Sequence, residues 1–267
     1  MKVGVVGVGN MGEALARGLS AAGHQAYLFD LDRTRLAAVA TRHGAQVCAA
    51  LAELVGVCTV IVLAVKPQQI DALLADIRSL GGDQHLWISV AAGIPIARLA
   101  AGLGSPRVVR VMPNTPALIG EGMSAFAAGP GVRGEDIEVT ATLLSAVGRV
   151  AQVDEGALDA VTGLSGSGPA YAFVMIEALA DAGVREGLPA ALALELAAQT
   201  LRGAATLALQ PGAHPAVLRQ QVTSPAGTTA AGLAALERGG VRAALGEAVR
   251  AAAARSRELG GTLPHNP

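Results

Sequence analysis

Short apolar runs alternate with amphipathic stretches over the first 154 residues of the chain. The runs are nearly continuous in Val, Ile and Leu, as in strands that are buried on both faces of a parallel sheet. They predict eight strands, over Lys2–Val6, Gln25–Phe29, 45–47, 60–65, 86–90, 107–112, 123–127 and 149–153. The stretches between them predict helices, among them 11–22 and 134–147. This alternation indicates an α/β domain with a doubly wound sheet over residues 1–154.

The pattern changes after Asp154. Strand-like runs stop, and stretches rich in Ala and Leu predict helices over 169–184, 189–209, Thr228–Arg238 and 241–259. Several of these stretches are apolar around much of the helix circumference, more than one small bundle can cover. We therefore expect residues 155–267 to form an all-helical domain through which two copies of the chain associate as a homodimer.

Composition narrows the class of protein. The chain has 267 residues, of which 52% are hydrophobic and 15% charged, and a formal net charge of -1. No basic face accumulates to neutralise phosphates, so we expect no nucleic-acid partner. No apolar run approaches the roughly 18 residues of a membrane span, and the N-terminus has no signal-peptide pattern. We expect a soluble cytoplasmic protein that binds small molecules.

The two cysteines, Cys48 and Cys58, form neither a CxxC motif nor a metal-ligand pattern with a histidine. We predict that they are small apolar fillers in a reduced compartment and that the chain has no metal site.

A glycine-rich loop follows the first predicted strand and opens the first helix. The loop consists of Gly7, Val8, Gly9, Asn10, Met11 and Gly12. A GxGxxG motif between strand and helix is typical of dinucleotide binding, since its glycines allow a tight turn, close approach of a pyrophosphate and helix–strand packing. The helix N-terminus then supplies N–H groups to the phosphates.

The second strand ends at Asp30, where an acid binds the ribose 2′-hydroxyl in NAD-dependent enzymes. Arg33 and Arg35 follow closely, and a guanidinium there could instead clamp the 2′-phosphate of NADPH. Both arginines are equally compatible with solvated positions in the next helix. The choice between NADH and NADPH stays open.

Three further segments lie at carboxyl ends of predicted strands, where doubly wound sheets bind ligands. Lys66 is either a ligand contact or a solvated charge, and Asn114 either reaches into the crevice or forms a local Asx turn. The predicted cofactor-binding residues of these segments are Ala64, Val65, Lys66, Pro67, Ala92, Gly93 and Asn114.

The chain resembles the pyrroline-5-carboxylate reductase family along nearly its whole length. The motifs that carry the resemblance are VGVGNMGEAL at 6–15, AVKPQ at 64–68, VMPNTPA at 111–117, TGLSGSGPAYAF at 162–173 and VTSPAGTTAAGL at 222–233. The resemblance implies reduction of 1-pyrroline-5-carboxylate to L-proline with NADPH or NADH. It also implies a Rossmann domain followed by an intertwined helical dimerisation domain, with larger rings of dimers as a further possibility.

The resemblance places the substrate pocket on Ser224, Gly227, Thr228 and Thr229, completed across the dimer interface. The family's loop has two glycines after its proline, whereas this chain has Ala226 and then Gly227. A cyclic imine is basic enough to arrive protonated, so the site needs no strong acid. Thr229 is the predicted catalytic residue, since its hydroxyl can donate to the ring nitrogen. The alternative is that Thr229 caps the following helix.

Two rival functions remain at this level. A 3-hydroxyacid dehydrogenase shares the GxGxMG start but needs a lysine one turn into the helix after the second glycine cluster, and residues 169–176 contain none. A non-catalytic dinucleotide-binding protein would not need the hydroxyl-rich segment at 222–229.

Overall fold

The computed structural model describes residues 1–80 and 84–262, the side chain of residue 262 excepted. Its centre is one eight-stranded sheet with the order β3-β2-β1-β4-β5-β6-β7-β8. The strands are β1 Lys2–Val6, β2 Gln25–Phe29, β3 Gln46–Val47, β4 Val60–Leu63, β5 Leu86–Ser89, β6 Val108–Met112, β7 Gly122–Ala128 and β8 Gly148–Gln152. All eight predicted strands are present, and the first six have the doubly wound order of a dinucleotide-binding fold.

Six helices lie between these strands. They are α1 Asn10–Ala21, α2 Arg33–His43, α3 Leu51–Val57, α4 Ile70–Ile77, α5 Ile96–Leu103 and α6 Gly134–Ser145. Their apolar faces pack on both faces of the sheet and form two clusters of buried side chains. The predicted α/β class is confirmed, and the core lies where nearly continuous apolar strands require it.

One strand departs from the predicted parallel arrangement. β7 runs antiparallel to β6, with Met112 opposite Ala125, whereas β7 and β8 are parallel. Only the short 3₁₀ segment Thr115–Ile119 separates β6 from β7, and a parallel crossover needs a dozen or more residues. The next connection contains α6 and is long enough for the parallel pairing of β8.

The second half of the chain is helical, as predicted. After the short helix α7 Leu158–Val161 and a π-helical turn at Thr162–Gly166, the helices are α8 Gly168–Arg185, α9 Ala190–Ala208, α10 Pro215–Gln221, α11 Thr228–Arg238 and α12 Val241–Thr262. Helix α10 was not predicted. Its seven residues begin after His214, whose ring nitrogen accepts from the N–H of Ala216, and Pro215 occupies the first helical position.

The chain divides into two compact units. One contains residues 1–167 together with 251–267, of which 263–267 lie outside the described residues, and the other contains 168–250. In the second unit the buried apolar residues are Ala180, Ala193 and Ala197, with Ile176 packed against them. Many of its large apolar side chains are exposed, among them Phe173, Val174, Leu194, Leu196, Leu207 and Leu209. A surface of this kind is typical of a protein–protein interface.

Both cysteines are buried free thiols in the cluster on one face of the sheet, as predicted. Burial raises the pKa of the Cys58 thiol to about 12. Over residues 1–80 and 84–262, the side chains form no group of His, Cys, Asp and Glu that could hold a metal ion. None of the described helices combines the length and apolar character that crossing a bilayer requires.

Candidate active site

The glycine loop connects β1 to α1 at the carboxyl edge of the sheet. Gly7 has φ +94° and donates its N–H to the carbonyl of Phe29 at 2.8 Å. A Cβ on Gly7 would lie 2.8 Å from the carbonyl oxygen of Ala64, and one on Gly12 would overlap the carbonyl oxygen of Gly7. These two glycines are therefore required by the packing of the loop against the protein itself.

Gly9 differs from its two neighbours in the motif, because a Cβ there would meet no heavy atom of the described residues within 4 Å. The space beside the Gly9 Cα, which a side chain would otherwise fill, is therefore open. Gly9 also caps α1 without a side-chain acceptor, so the first N–H groups of the helix are available to a ligand. A glycine with open space, next to free helix N–H groups, fits the close approach of a pyrophosphate.

Asp30 lies directly after β2 and is half-buried. One carboxylate oxygen accepts the N–H of Val8 in the glycine loop at 2.7 Å, and the other accepts the N–H of Asp32 at 2.8 Å. The acid therefore holds the glycine loop and the start of α2 in a fixed relation. Arg33 and Arg35 lie in the first turn of α2, and Asp32 caps this helix by accepting the N–H of Arg35.

The segment after β4 continues the same edge. Ala64 donates its N–H to Val6 at 2.8 Å, which places residues 64–67 beside the glycine loop. Lys66 is exposed, and Pro67 begins the 3₁₀ turn Pro67–Gln69. After β5, Ala92 is exposed and Gly93 has φ +76°. The structure thus brings the predicted residues of these strand ends to one edge of the sheet.

Asn114 follows β6 and makes two hydrogen bonds to backbone groups. Its Oδ1 accepts the N–H of Met123 at 2.8 Å, and its Nδ2 donates to the carbonyl of Ser165 at 3.1 Å. The local Asx turn considered as an alternative is wrong, because the first partner lies nine residues away on β7. Asn114 instead connects the ends of β6 and β7 to the π-helical turn.

The π-helical turn Thr162–Gly166 occupies the glycine cluster that precedes the long helix α8. The N–H of Ser167 donates to the carbonyl of Thr162 at 2.8 Å, and a Cβ on Gly166 would overlap the Cε methyl of Met112. Glycine at 166 therefore allows the end of β6 to pack against this turn. The pairing of Asn114 with Ser165 was not predicted, and the only sequence signal for it is the run of glycines and serines at 163–168. Such turns occur often at functional sites.

The hydroxyl-rich segment belongs to the second compact unit. The backbone carbonyl of Ser224 accepts the N–H of Gly227 at 3.1 Å. This hydrogen bond closes a turn with Pro225 and Ala226 at its centre. Ala226 has φ +55°, the only positive value for a residue other than glycine in the part of the chain that the structure describes. A Cβ on Gly227 would overlap the Oγ of Ser224, so a larger residue there requires the Ser224 side chain to turn away.

Helix α11 begins immediately after this turn. Its N-cap is Gly227, which offers no side-chain acceptor, so the N–H groups of the first turn are free of a side-chain cap. Thr228 and Thr229 are the first two helical residues, and the alternative that Thr229 is the helix cap is therefore wrong. The Thr223 hydroxyl donates to Arg219 at 2.6 Å, whereas the Thr229 hydroxyl has no hydrogen-bond partner among the described residues.

Two family models match the chain. Residues 155–259 match the family model described as "Pyrroline-5-carboxylate reductase dimerisation". Residues 2–93 match the one described as "NADP oxidoreductase coenzyme F420-dependent".

Relatives match over almost the whole length. The chain is 46% identical to a pyrroline-5-carboxylate reductase of Arabidopsis thaliana over 97% of this chain and 95% of the relative. It is 44% identical to a pyrroline-5-carboxylate reductase of Methanosarcina acetivorans over 97% of this chain and 98% of that relative. A solved pyrroline-5-carboxylate reductase of Coxiella burnetii matches with a TM-score of 0.92 and 33% identity over 96% and 97% of the two chains. The Plasmodium falciparum enzyme, solved with NADP bound, matches with a TM-score of 0.83 and 32% identity over 97% and 98%.

Proposed function

The chain belongs to the pyrroline-5-carboxylate reductase family, and from this membership we infer that it reduces 1-pyrroline-5-carboxylate to L-proline, the final step of proline biosynthesis. The observation that carries this inference is 46% identity over 97% of the chain. The dinucleotide, NADPH or NADH, supplies the hydride that the imine carbon receives.

The cofactor site is proposed at the carboxyl edge of β1, β4 and β5. Gly9 and the free N–H groups at the start of α1 bind the pyrophosphate, and Asp30 lies at the adenosine ribose. The strand-end residues Ala64, Val65, Lys66, Pro67, Ala92 and Gly93 line the rest of the crevice. The side-chain amide of Asn114 is hydrogen-bonded to the backbone of Met123 and Ser165. In our proposal Asn114 therefore borders the crevice and also holds the segments at its end in position.

The substrate site is proposed at the start of α11. Its uncapped N–H groups provide hydrogen bonds and positive potential for the single carboxylate of the imine. The turn Ser224–Gly227 brings the chain to this helix start, and Gly227 leaves the first N–H groups accessible. Ser224, Gly227 and Thr228 then fix the substrate so that its ring nitrogen lies beside Thr229.

Thr229 is proposed as the catalytic residue. Its hydroxyl has no partner in the described part of the chain, so it is available to accept from the iminium N–H and to donate to the lone pair that forms on the amine nitrogen. As the imine carbon gains a hydride, the nitrogen changes from iminium to amine and needs a hydrogen-bond partner that suits both forms. A hydroxyl can both donate and accept, so it satisfies the nitrogen on either side of the transfer.

Assembly is part of the proposed site. The dimerisation-family match and the exposed apolar helices indicate a homo-oligomer. We propose a homodimer formed through residues 155–267, with dimers further assembled in a ring and each substrate pocket completed by the partner subunit. The remainder, residues 1–154, is the proposed dinucleotide-binding domain. A cytoplasmic location is proposed on the ground of the two free thiols.

Replacement of the Thr229 hydroxyl tests this mechanism. Thr229→Val keeps the shape of the side chain and removes the hydroxyl, and we expect kcat for imine reduction to fall about 100-fold because the nitrogen loses its donor. Thr229→Ser restores the hydroxyl and should recover most of this loss. The measurement is imine-dependent oxidation of NADPH and NADH, followed by absorbance, together with the dissociation constant of each cofactor.

Thr228→Val is the matched control, since it makes the same change one residue earlier on the same helix. It should affect KM for the imine more than kcat. Wild-type kcat in Thr229→Val would exclude the catalytic role, and absence of imine-dependent oxidation in the wild-type protein would contradict the function itself.

A further inference from the structure

The position of Asp30 determines what the adenosine end of a dinucleotide meets. The side chain lies between the glycine loop and the connection from β2 to α2, where dinucleotide-binding folds hold the adenosine ribose. Its two oxygens accept the N–H groups of Val8 and Asp32 at 2.7 and 2.8 Å. Two backbone donors from different segments hold the carboxylate in place, so it cannot turn away from a ligand without losing both hydrogen bonds.

The held carboxylate still has accepting capacity. Two oxygens can accept about four hydrogen bonds, and the backbone uses two of them. A ribose 2′-hydroxyl has one proton to donate and can fill one of the two remaining positions. A 2′-phosphate is mostly doubly ionised at neutral pH, so it mainly lacks a proton to donate and brings negative charge against a fixed negative charge.

The neighbouring cations are engaged elsewhere. The guanidinium of Arg33 donates to the carbonyl of Ala49 at 2.9 Å and lies over the Phe29 ring, 5.4 Å from its centre. Arg35 pairs with Asp32, with 3.7 Å between nitrogen and oxygen. Leu31, the residue directly after the acid, is 81% exposed and apolar. Both guanidiniums are exposed, so a 2′-phosphate would have to compete with these contacts, next to a fixed carboxylate and an apolar side chain.

We propose that Asp30 makes this protein select NADH over NADPH. The proposal rests on the proposed function, since it concerns the dinucleotide of the same reaction. The match to an NADP oxidoreductase family model and the NADP-bound relative favour the phosphorylated cofactor for the chain's relatives. The contacts of Asp30, Arg33 and Arg35 in this chain favour the unphosphorylated one.

Calorimetric titration of the full-length protein without imine tests the selection. We expect NADH to bind at least about tenfold more tightly than NADPH, because only NADPH places charge against Asp30. Adenosine 5′-monophosphate and adenosine 2′,5′-bisphosphate, which differ by the 2′-phosphate alone, should show the same order. Equal or tighter binding of NADPH would overturn the proposal.

Variants assign the selection to the residue. Asp30→Asn should shrink the ratio of the two dissociation constants at least about fivefold, chiefly by strengthening NADPH binding. Leu31→Arg keeps both hydrogen bonds of Asp30 and adds a cation, so it should also strengthen NADPH binding. Asp76→Asn removes the same charge at an exposed position of α4, leaves the Asp32–Arg35 pair intact, and should change the ratio less than about twofold. An unchanged ratio in both Asp30→Asn and Leu31→Arg would overturn the role of Asp30.

Failure of this proposal and failure of the proposed function give different results. If the protein binds NADH selectively but does not oxidise it in the presence of the imine, the proposed cofactor selection holds and the proposed function fails. A protein that reduces the imine with both cofactors at equal kcat/KM, and binds both equally, has the function without the selection.

Discussion

Residues 1–167 and residues 168–250 bury their apolar side chains in different ways. In the first region, long apolar side chains such as Leu28, Ile61 and Trp87 are fully buried on the two faces of the sheet. In the second region the interior consists of Ala180, Ala193 and Ala197, while leucines on the same helices are exposed. Three alanines supply little of the apolar burial that stabilises a helical domain.

The difference indicates where each region obtains its stability. The sheet region has a complete core within one chain. The helical region exposes apolar surface that a second copy of the chain can bury, which agrees with its match to a dimerisation family. Three comparisons test this contrast. The first places a charge on the exposed surface of the helical region, the second compares a buried with an exposed ion pair, and the third concerns backbone strain.

The largest effect is expected from a charge on the exposed surface of α9. Leu194 is 52% exposed in the single chain, and Leu194→Glu would place a carboxylate in the proposed interface without a partner. We expect the oligomer to dissociate at micromolar concentrations and kcat/KM for the imine to fall at least about 100-fold, because the proposed pocket needs both subunits. Sedimentation velocity and the NADH assay measure the two effects.

Thr142→Glu provides the control, since it adds the same charge at an exposed position of α6 in the sheet region. It should leave both the oligomer and the activity unchanged. A fully active Leu194→Glu monomer would show that the exposed helical surface has no role in the site.

The buried ion pair of the sheet region should contribute more than an exposed one. Arg107 Nε donates to Asp136 at 2.8 Å, and the Asp136 side chain is 2% exposed. The hydrogen bond from Arg107 lowers the pKa of Asp136. Asp136→Asn should reduce the free energy of unfolding by about 3 kcal/mol at pH 7, because it leaves the Arg107 charge without its partner.

This contribution depends on pH with a defined sign. The pKa of Asp136 is lower in the folded than in the unfolded chain, where it is about 3.9, so the stabilisation is present above that value. It is lost as the pH falls through the folded-state pKa, so the urea unfolding curves of wild type and Asp136→Asn should begin to converge below about pH 4 and meet below the folded-state pKa. The hydrogen bond from Arg250 also lowers the pKa of Glu247, but this pair is exposed, so Glu247→Gln should leave unfolding almost unchanged. Equal effects of the two variants would contradict the contrast.

The smallest effect concerns backbone strain in the helical region. Positive φ values in the described sheet region occur at glycines, whereas Ala226 adopts φ +55°. Ala226→Gly should raise the free energy of unfolding by about 1 kcal/mol, since glycine adopts this conformation without the Cβ clash. Ala235→Gly, within α11, should lower it by about 1 kcal/mol. Urea unfolding at a fixed protein concentration measures both, and a loss of stability in Ala226→Gly would show that the turn is not strained.

Much of the sheet region could be predicted from local pattern. The bounds of β1 and β2 were predicted to the residue, because each is a compact apolar run next to a glycine or an acid. The glycine loop was recognisable for the same reason, since the tight turn and the helix start are encoded by adjacent residues. The cofactor-site residues were predicted from the glycine motif and the strand ends, and the substrate-site residues from the family resemblance. Both assignments stay proposals.

Features that depend on distant residues could not be predicted. The antiparallel direction of β7 follows from a short connection that the sequence does show, whereas the close approach of Gly166 to Met112 joins distant residues. The two hydrogen bonds of Asp30 and the two of Asn114 join residues up to 51 positions apart. Pattern in the sequence identifies such polar residues as candidates but not the backbone groups they bind.

Gly9 has a consequence for how this sequence can change over evolutionary time. No packing in the part of the chain that the structure describes opposes an alanine there, and alanine would reduce the conformational entropy of the unfolded chain. Mutation without selection for dinucleotide binding would therefore let the position drift away from glycine, while Gly7 and Gly12 would be retained by folding alone. The middle glycine of the loop is thus the one whose loss would mark a descendant that keeps the fold and has given up the cofactor.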